Sequence, residues 1–570
     1  MTSSENTDLL TGKVAAASVP AMLRTKCLVC ASRALQYEYS IAGHRIVRCC
    51  NCDLLFLNPQ PTDQELTGIY TDSYALLSDS EEAAGHAAEL KRRTAAHYLE
   101  LIRQYRGAGA GTLLEVGCGS GDMLELAIQQ GYTVMGTDLS PHACAVASKK
   151  VGHRGNVVCC GSEGLEDTFD TFDVIVLADV IEHVRDPEWT LRRLHAMLKP
   201  GGVLFIATPS LDSWSARFLK SRWMEFKLEH LTYFNRANIQ TLLLKCGFEG
   251  VLPISNTKSL SFEYVRAHFE KYPVRGLTLP FRVLDALLPK SMKWKPRQVV
   301  ASGIIVMATK GTVQATKLSI VVPAYNESAT MATILDRLVD KRIDGMEREI
   351  IVVESNSTDG TREIAEDFES RGLIRLIKED RPRGKGHATR KGLQACTGDI
   401  VLIQDADLEY DTEDYEALLH PILTGRKAFV LGARHGNGAF KMRHFERQVG
   451  LSTVLNFGHW FFTALVDLLF FLRLKDPFTM YKVFRRDCLY GLSFQCNRFD
   501  FDYELLIKLV RKGYRPLEVP VNYRSRSFES GKKVSILRDP WTWLWALLRL
   551  RFTEVNPMKE IQRQRNQPDL

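Results

Sequence analysis

No stretch of the 570 residues reads as a membrane span, and none reads as a secretion signal. The apolar run "FGHWFFTALVDLLFFLRL" at 457–474 is barely long enough to cross a bilayer, and Asp467 near its middle is costly in hydrocarbon. The opening "MTSSENTDLLTGKVAAASVPAM" carries acidic residues early, and Pro20 interrupts its only apolar stretch. Extended low-complexity tracts are missing, and 45% apolar content reads as soluble and globular. Cysteine is sparse. Thirteen in so long a chain make no disulfide framework, and Cys118, Cys144, Cys246, Cys396 and Cys488 are scattered like reduced cytosolic thiols. An excess of one charge is lacking too: +7 over this length suits an anionic ligand or membrane surface and demands neither.

The length implies two to four domains. The first unusual feature is where cysteine does concentrate. Cys27 and Cys30 in "CLVC", then Cys49 and Cys52 in "CCNC", form two C-x-x-C pairs with eighteen residues between them. Each pair can turn two thiolates toward one point, and two such knuckles complete a tetrahedral, structural Zn²⁺ site. The alternative is a set of small buried side chains. Cys50 is an extra thiol that could replace Cys49 only at a tighter spacing.

At 113–121, "LLEVGCGSG" runs a short apolar strand into Glu115, Gly117, Gly119 and Gly121, and a helical pattern starts at Asp122. Glycines here let the backbone turn tightly and approach a ligand. A second strand, "YTVMGTDLS", carries Asp138 seventeen residues beyond Gly121, where an acid can accept ribose hydroxyls. The strands "NVVCCG", "FDVIVLADVIEHV" and "LKPGGVLFIATP" then alternate with helical patterns, the order of a doubly wound parallel sheet. At these residues the chain resembles class I S-adenosylmethionine-dependent methyltransferases. The resemblance implies a Rossmann-like domain in which Glu115, Gly117, Gly119 and Gly121 approach S-adenosylmethionine and Asp138 holds its ribose.

The segments "RCCNCDLLFLNPQPTDQELTGIYTDSY" and "EHLTYFNRANIQTLLLKCGF" look like the zinc-ribbon methyltransferases of sugar and small-molecule pathways. That likeness places His230 and Tyr233, with Glu229, in loops over the methyl acceptor. His183 follows the fourth strand, near where the methyl group would be presented. It can serve as a general base, or it can orient Glu182 or cap a helix. The domains expected so far are a flexible N-terminus at 1–24, a zinc ribbon at 25–62 and a methyltransferase at 63–311, followed by a linker at 312–316.

A second α/β pattern fills 317–535. "LSIVVPAYNESATMATILDRL", "REIIVVESNSTDGTREIAEDF" and "LIRLIKEDRPRGKGHATRKGL" each read as strand, loop and helix, and "IVLIQDADLEYDTEDY" follows. Ile400 to Ile403 reads as a buried strand that ends in Asp405 and Asp407. Two carboxylates pointing the same way from an extended segment suit one Mg²⁺ or Mn²⁺ shared with a diphosphate; the plain alternative is a solvated turn. The order closely resembles family 2 glycosyltransferases of GT-A fold. It implies that Pro323, Tyr325 and Glu327 of "VPAYNE", together with Glu354, contact a nucleotide-sugar donor. It also implies that Asp405 and Asp407 hold the metal, with Arg383 and Lys385 near the phosphates. Glu354 stands where many relatives have Asp.

The stretches 476–486 and 501–535 look like dolichyl- and polyprenyl-phosphate sugar synthases. Arg524, Arg526, Lys532 and Lys533 form a loop able to hold a phosphate monoester, or else a solvated basic loop. The segment 536–570 reads as an amphipathic C-terminal piece and tail in which "WTWLWALLRLRF" mixes three tryptophans with Arg549 and Arg551, an interfacial composition. It and 457–474 read as helices lying on a membrane or packed on the domain.

The reading is a bifunctional enzyme at the cytoplasmic face of the membrane: a zinc-ribbon methyltransferase fused to a metal-dependent inverting glycosyltransferase with a polyprenyl-phosphate or related lipid acceptor. The competing readings are a glycosyltransferase acting on a soluble or glycan acceptor, an RNA methyltransferase fused to a binding-only GT-A domain, and a non-catalytic scaffold. The modest basic count at 27–60 gives no reason to expect a nucleic-acid partner.

Overall fold

The structure, a computed structural model, describes residues 23–66, 81–165, 169–271, 284–311, 317–424, 426–434, 449–524 and 539–566. Most of the expected N-terminal segment (1–22) and the linker 312–316 lie outside the described residues, as do Arg526, Lys532 and Lys533.

The antiparallel strands β1 (Leu35–Ile41), β2 (His44–Cys49) and β3 (Leu55–Leu57) come first; one cysteine pair precedes β1 and the other spans the end of β2 and the turn before β3. A 26-residue helix, Glu81–Arg106, follows. Tyr98, Leu99, Ile102 and Tyr105 recur at three- and four-residue spacing, so its apolar stripe is buried against the next sheet.

That sheet is built from β4 (Thr112–Val116), β5 (Thr133–Asp138), β6 (Gly155–Cys159), β7 (Phe172–Ala178) and β8 (Leu198–Pro209), all parallel. Its connecting helices begin where capping chemistry places them: Ser140 accepts from the Ala143 N–H and Asp186 from the Trp189 N–H, each followed by a proline. The two-residue β9 (Thr232–Tyr233) leaves this unit and pairs with β3. The long strands β10 (Phe248–Leu260) and β11 (Arg297–Lys310) close the edge, giving the order β10-β11-β8-β7-β4-β5-β6. β11 fits the last strand expected at 302–311, and it runs antiparallel to β8. Strand order reverses between β4 and β7, and the crevice outside their carboxyl ends is where such sheets bind ligands.

The cysteine-bearing segment, where the sequence leads one to expect a ribbon, is not an appendage. Cys27, Val29, Cys49 and Cys52 share one buried cluster with Leu177, Ile206 and Phe234.

The second unit repeats the logic with β12 (Lys317–Ala324), β13 (Glu347–Glu354), β14 (Arg375–Lys378), β15 (Ile400–Ile403), β16 (Phe429–Ala433), β17 (Lys482–Arg485) and β18 (Leu517–Pro520). The order is β14-β13-β12-β15-β17-β16-β18, with β17 antiparallel to both neighbours. All four residues of β15 are buried, as their unbroken apolar run requires. The reversal between β12 and β15 marks the second crevice.

The helices Val449–Phe470 and Asp539–Phe552 lie together through Phe462 and Trp543, ring centroids 5.5 Å apart. No helix among the described residues is long and apolar enough to cross a membrane. The final helix, Pro557–Asn566, returns to the first unit, where Met558 and Ile561 are buried in the same cluster as Tyr98 and Ile102.

Candidate functional site

Three clusters gather the residues singled out from the sequence. In the ribbon, Cys27 Sγ and Cys52 Sγ are 3.5 Å apart, as are Cys30 Sγ and Cys49 Sγ. All four sulfurs lie within 4.8 Å of one another. Sulfurs at about 2.3 Å from one tetrahedral zinc stand roughly 3.8 Å apart, so the set fits that ion with no open position. Backbone N–H groups of Val29 and Asn51 point at Cys27 and Cys49, the usual support for thiolates. Cys50 is exposed and turned toward Gln36, which leaves Cys49 as the member of the quartet.

The second cluster sits at the carboxyl ends of β4, β5 and β7. The Gly117 and Cys118 N–H groups both donate to the Thr137 carbonyl, at 2.7 and 2.9 Å, which curls the loop over β5. Gly121 takes φ 75°, and a Cβ there would lie 2.9 Å from that of Ala147, so only glycine lets the two following helices close up. Gly119 also has a positive φ, 51°, but open space where its Cβ would be: its backbone faces the crevice. Asp138 accepts the Gly119 N–H at 2.8 Å and the Ser140 N–H at 2.9 Å. These bonds fix its carboxylate while leaving lone pairs for ribose hydroxyls. Glu115 is buried, and its Oε2 has no hydrogen-bond partner among the described residues. Burial, with Asp122 and Asp138 nearby, pushes its pKa well above the usual carboxylate range. A buried acceptor without a donor, beside a glycine loop open to the crevice, fits S-adenosylmethionine.

Further along the same edge, Glu182 and His183 follow β7. Glu182 Oε2 accepts from Thr208 Oγ1 at 2.9 Å, and burial pushes its carboxyl up to about 8, with Asp179 adding to the shift. His183 and His230 meet edge to face at 4.8 Å, and burial holds both imidazoles neutral, lowered to about 4 and about 3. The structure therefore brings His183 and His230 together from residues 47 apart in sequence. Tyr233 is buried behind them, its hydroxyl donating to the Lys227 carbonyl at 2.9 Å. Asp179 paired with Lys258 at 2.6 Å completes this rim, and neither stood out in the sequence.

The third cluster surrounds the turn after β15. Asp405 and Asp407 are each 8% exposed, and Lys385, at the start of the helix Lys385–Ala395, is ion-paired with Asp405. Burial opposes the Lys385 charge, but Asp405, Asp502 and Asp407 outweigh it and hold the ammonium above its usual pKa. The turn is braced from below. Gln404 donates to the Asp405 carbonyl at 3.0 Å and accepts from the hydroxyls of Tyr415 and Tyr481 at 3.0 and 2.8 Å. Thr330 Oγ1 donates to the Ala406 carbonyl at 2.9 Å, tying the turn to the helix that follows the "VPAYNE" loop.

Pro323 ends buried in β12, Tyr325 is partly exposed beyond it, and Glu327 leads into the helix Ser328–Asp340 with its N–H on Thr361 Oγ1 at 2.8 Å. Glu354 is buried, and its oxygens accept from the Ser357 N–H and from Arg362, so it organises the loop after β13. Arg383 is exposed and paired with Asp380 at 3.1 Å. The Arg524 N–H donates to the Glu409 carbonyl at 2.8 Å, placing the described end of the basic loop beside the acidic turn.

Four residues here were not singled out from the sequence. Lys482 is fully buried with Asp502 at 3.2 Å, and Asp502 in turn lies in the field of Lys385 and Asp405. Arg434 pairs with Asp476, both buried. A charged residue inside an apolar strand, such as Lys482 in "TMYKVF", was the available signal.

Two family models match the chain. The family model described as "Glycosyl transferase family 2" matches residues 319–490, and that described as "Methyltransferase domain" matches residues 86–252. Over 213 residues the chain is 26% identical to a dolichol-phosphate mannosyltransferase of Pyrococcus furiosus, covering 37% of this chain and 57% of that protein. Over 217 residues it is 31% identical to a dolichyl-phosphate beta-glucosyltransferase ALG5C of Trichomonas vaginalis, covering 36% and 62%. Over 122 residues it is 35% identical to a ubiquinone biosynthesis O-methyltransferase of Parvibaculum lavamentivorans, covering 21% and 48%. Each match spans less than two thirds of the relative's own length. The chain is a fusion of a methyltransferase domain with a family 2 glycosyltransferase domain.

Proposed function

We propose that this fusion carries two transferase activities: methylation of a sugar or small-molecule acceptor by S-adenosylmethionine, and transfer of a sugar from a nucleotide diphosphate donor to a polyprenyl phosphate or related lipid phosphate. The observation that carries the second is the acidic turn itself. Asp405 and Asp407 are nearly buried at a strand end, braced by Gln404 and Thr330, with one cation already drawn to Asp405. A solvated turn needs none of that support.

Asp405 and Asp407 would hold a divalent ion, which would supply positive charge to the departing diphosphate. Lys385 adds a fixed positive charge next to the same oxygens. Asp407 is held by the Glu409 N–H at 3.0 Å, so its orientation is set before donor binds. A phosphate acceptor is ionised at neutral pH and needs no strong base, and Arg524 lies beside the turn to receive it. The dolichyl-phosphate relatives support a lipid acceptor.

In the first unit, Asp138 and the glycine loop position the cofactor, which supplies the electrophilic methyl group. His183 and His230 meet at the adjacent edge, where an acceptor hydroxyl would reach the methyl group.

The helix pair supports peripheral membrane contact. Phe457, Phe461, Trp541, Trp545 and Phe552 are between 48% and 81% exposed on it. Large exposed aromatics next to Arg551 form an interfacial surface on which a lipid acceptor can be met.

Incubating the pure chain with a panel of nucleotide sugars, polyprenyl phosphate and labelled S-adenosylmethionine tests both activities. Sugar in the lipid phase and label in a methylated product support the reading. Sugar found only on soluble acceptors rejects the lipid-phosphate assignment.

A further inference from the structure

The edge beyond β7 holds more than the two histidines. Ligand atoms of Glu182, His183 and His230 lie within 4.8 Å of one another, and Glu182 and His230 are 1% and 5% exposed. The Glu182 carboxyl has one oxygen satisfied by Thr208, but its Oε1 is buried with no hydrogen-bond partner among the described residues. Leaving a buried carboxylate oxygen unpaired is costly unless something else is meant to occupy it. His230 beside it is held as metal ligands usually are. His230 Nδ1 lies 2.8 Å from the Glu225 carbonyl, which only accepts, so Nδ1 carries the proton and Nε2 presents a lone pair. The His183 ring lies edge to face against that of His230, centroids 4.8 Å apart. A ring N–H donated to a backbone carbonyl is the support that orients metal-bound imidazoles.

We propose that Glu182, His183 and His230 form a divalent-metal site of the first methyltransferase edge, separate from the cysteine quartet and from the acidic turn of the second unit. One carboxylate oxygen and two imidazole nitrogens suit Zn²⁺, Mn²⁺, Fe²⁺ or Co²⁺, and three protein ligands leave at least one position open. Ligands of one such ion stand roughly 3–3.6 Å apart, so small side-chain rotations close the set. The site adjoins the cofactor loop: Val180, two residues before Glu182, packs where a Gly117 side chain would be, its Cγ2 2.5 Å from the Cβ position.

The role of the ion rests on the methyl-transfer reading; its binding does not. An acceptor oxygen taking the open position loses its proton to solvent more readily. That oxygen then forms the new bond to the methyl carbon as the carbon–sulfur bond breaks, and the electron pair stays on sulfur. This deepens the substrate class to acceptors that present an oxygen to a metal, above all those with two neighbouring oxygens able to chelate.

The test is calorimetric titration of Co²⁺ into the full chain carrying Asp405→Asn and Asp407→Asn, with the cysteine quartet already loaded with zinc. The expected result is one further ion, with affinity lowered at least about tenfold by Glu182→Gln and by His230→Asn. S-adenosylmethionine binding, measured on the same samples, reports that each variant is folded and stays unchanged. Affinity for Co²⁺ unaffected by either substitution overturns the site. Crystals of the unsubstituted chain soaked in Co²⁺ give an independent readout: an anomalous peak among Glu182, His183 and His230 supports the site, and no peak there overturns it. Cobalt bound at the three residues with no methyl acceptor ever turned over supports the site and counts against the methyl-transfer reading alone.

Discussion

Arg434 and Asp476 form a two-point ion pair with both side chains buried: Nε to Oδ2 is 2.7 Å and Nη2 to Oδ1 is 2.8 Å. The guanidinium also lies 5.2 Å from the centre of the Tyr523 ring, so the pair ties the end of β16 to the segment that leads into the basic loop. Asp476→Asn leaves a buried arginine without its counter-charge and should cost about 3–5 kcal/mol of stability. Urea denaturation measures it. A midpoint unchanged from the parent would show that the pair contributes nothing net.

The ribbon should bind about one zinc per chain. Because Cys49 shares a buried cluster with the methyltransferase sheet, Cys49→Ser should lose the metal and lower the melting temperature of that unit as well. Cys50→Ser, at an exposed thiol, should change neither. Metal analysis with a thermal scan separates the two variants, and equal losses in both would refute the quartet.

Asp138 holds the glycine loop through the Gly119 N–H, and the proposed function gives it the cofactor's ribose. Asp138→Ala should weaken S-adenosylmethionine binding by about 1–3 kcal/mol through lost charge-assisted hydrogen bonds. Titration calorimetry giving parent affinity would contradict the assignment.

Acid should loosen the first sheet through Asp173. Partial burial works against its charge, but Lys199 at 2.8 Å and the Thr112 N–H at 2.9 Å outweigh this and hold the carboxyl at about 2, below the ordinary 3.8. A depressed carboxylate contributes stability above its unfolded pKa and loses it as pH falls through the folded value. The contribution, about 1 kcal/mol after solvent screening, should be full above pH 4 and lost toward pH 2. Asp173→Asn should flatten the stability profile in that window, as followed by circular dichroism. An identical slope in the variant would remove Asp173 from the account.

The sequence made local features legible where chemistry and periodicity coincide. Ile400–Ile403 is an unbroken apolar run ending in two acids, and it is a buried strand ending in the acidic turn. Glu115 to Gly121 and Asp138 meet because consecutive parallel strands put their carboxyl ends side by side. What could not be read are partnerships that depend on a strand running the other way or on a distant return. Lys482 meets Asp502 because β17 is antiparallel to β15, and Met558 reaches Tyr98 because the last helix doubles back to the first unit. Glu182 was visible only as a neighbour of His183; its orphaned oxygen exists only once Thr208 and His230 close around it. Arg383 and Lys385, two residues apart, read alike in sequence, yet Arg383 stays at an exposed loop while the helix start turns Lys385 onto Asp405.

Under the proposed function, the turn after β15 drives sugar transfer through a metal held by Asp405 and Asp407. The most direct measurement is the rate of sugar transfer to polyprenyl phosphate by the Asp407→Asn protein, with methyl transfer followed in the same preparation. Asparagine keeps the shape of the side chain and removes its charge, so the ion binds less well and the leaving diphosphate is poorly neutralised. Glycosyl transfer should nearly disappear while methyl transfer continues at the parent rate. Glycosylation of polyprenyl phosphate at the parent rate by Asp407→Asn would contradict that role of the turn.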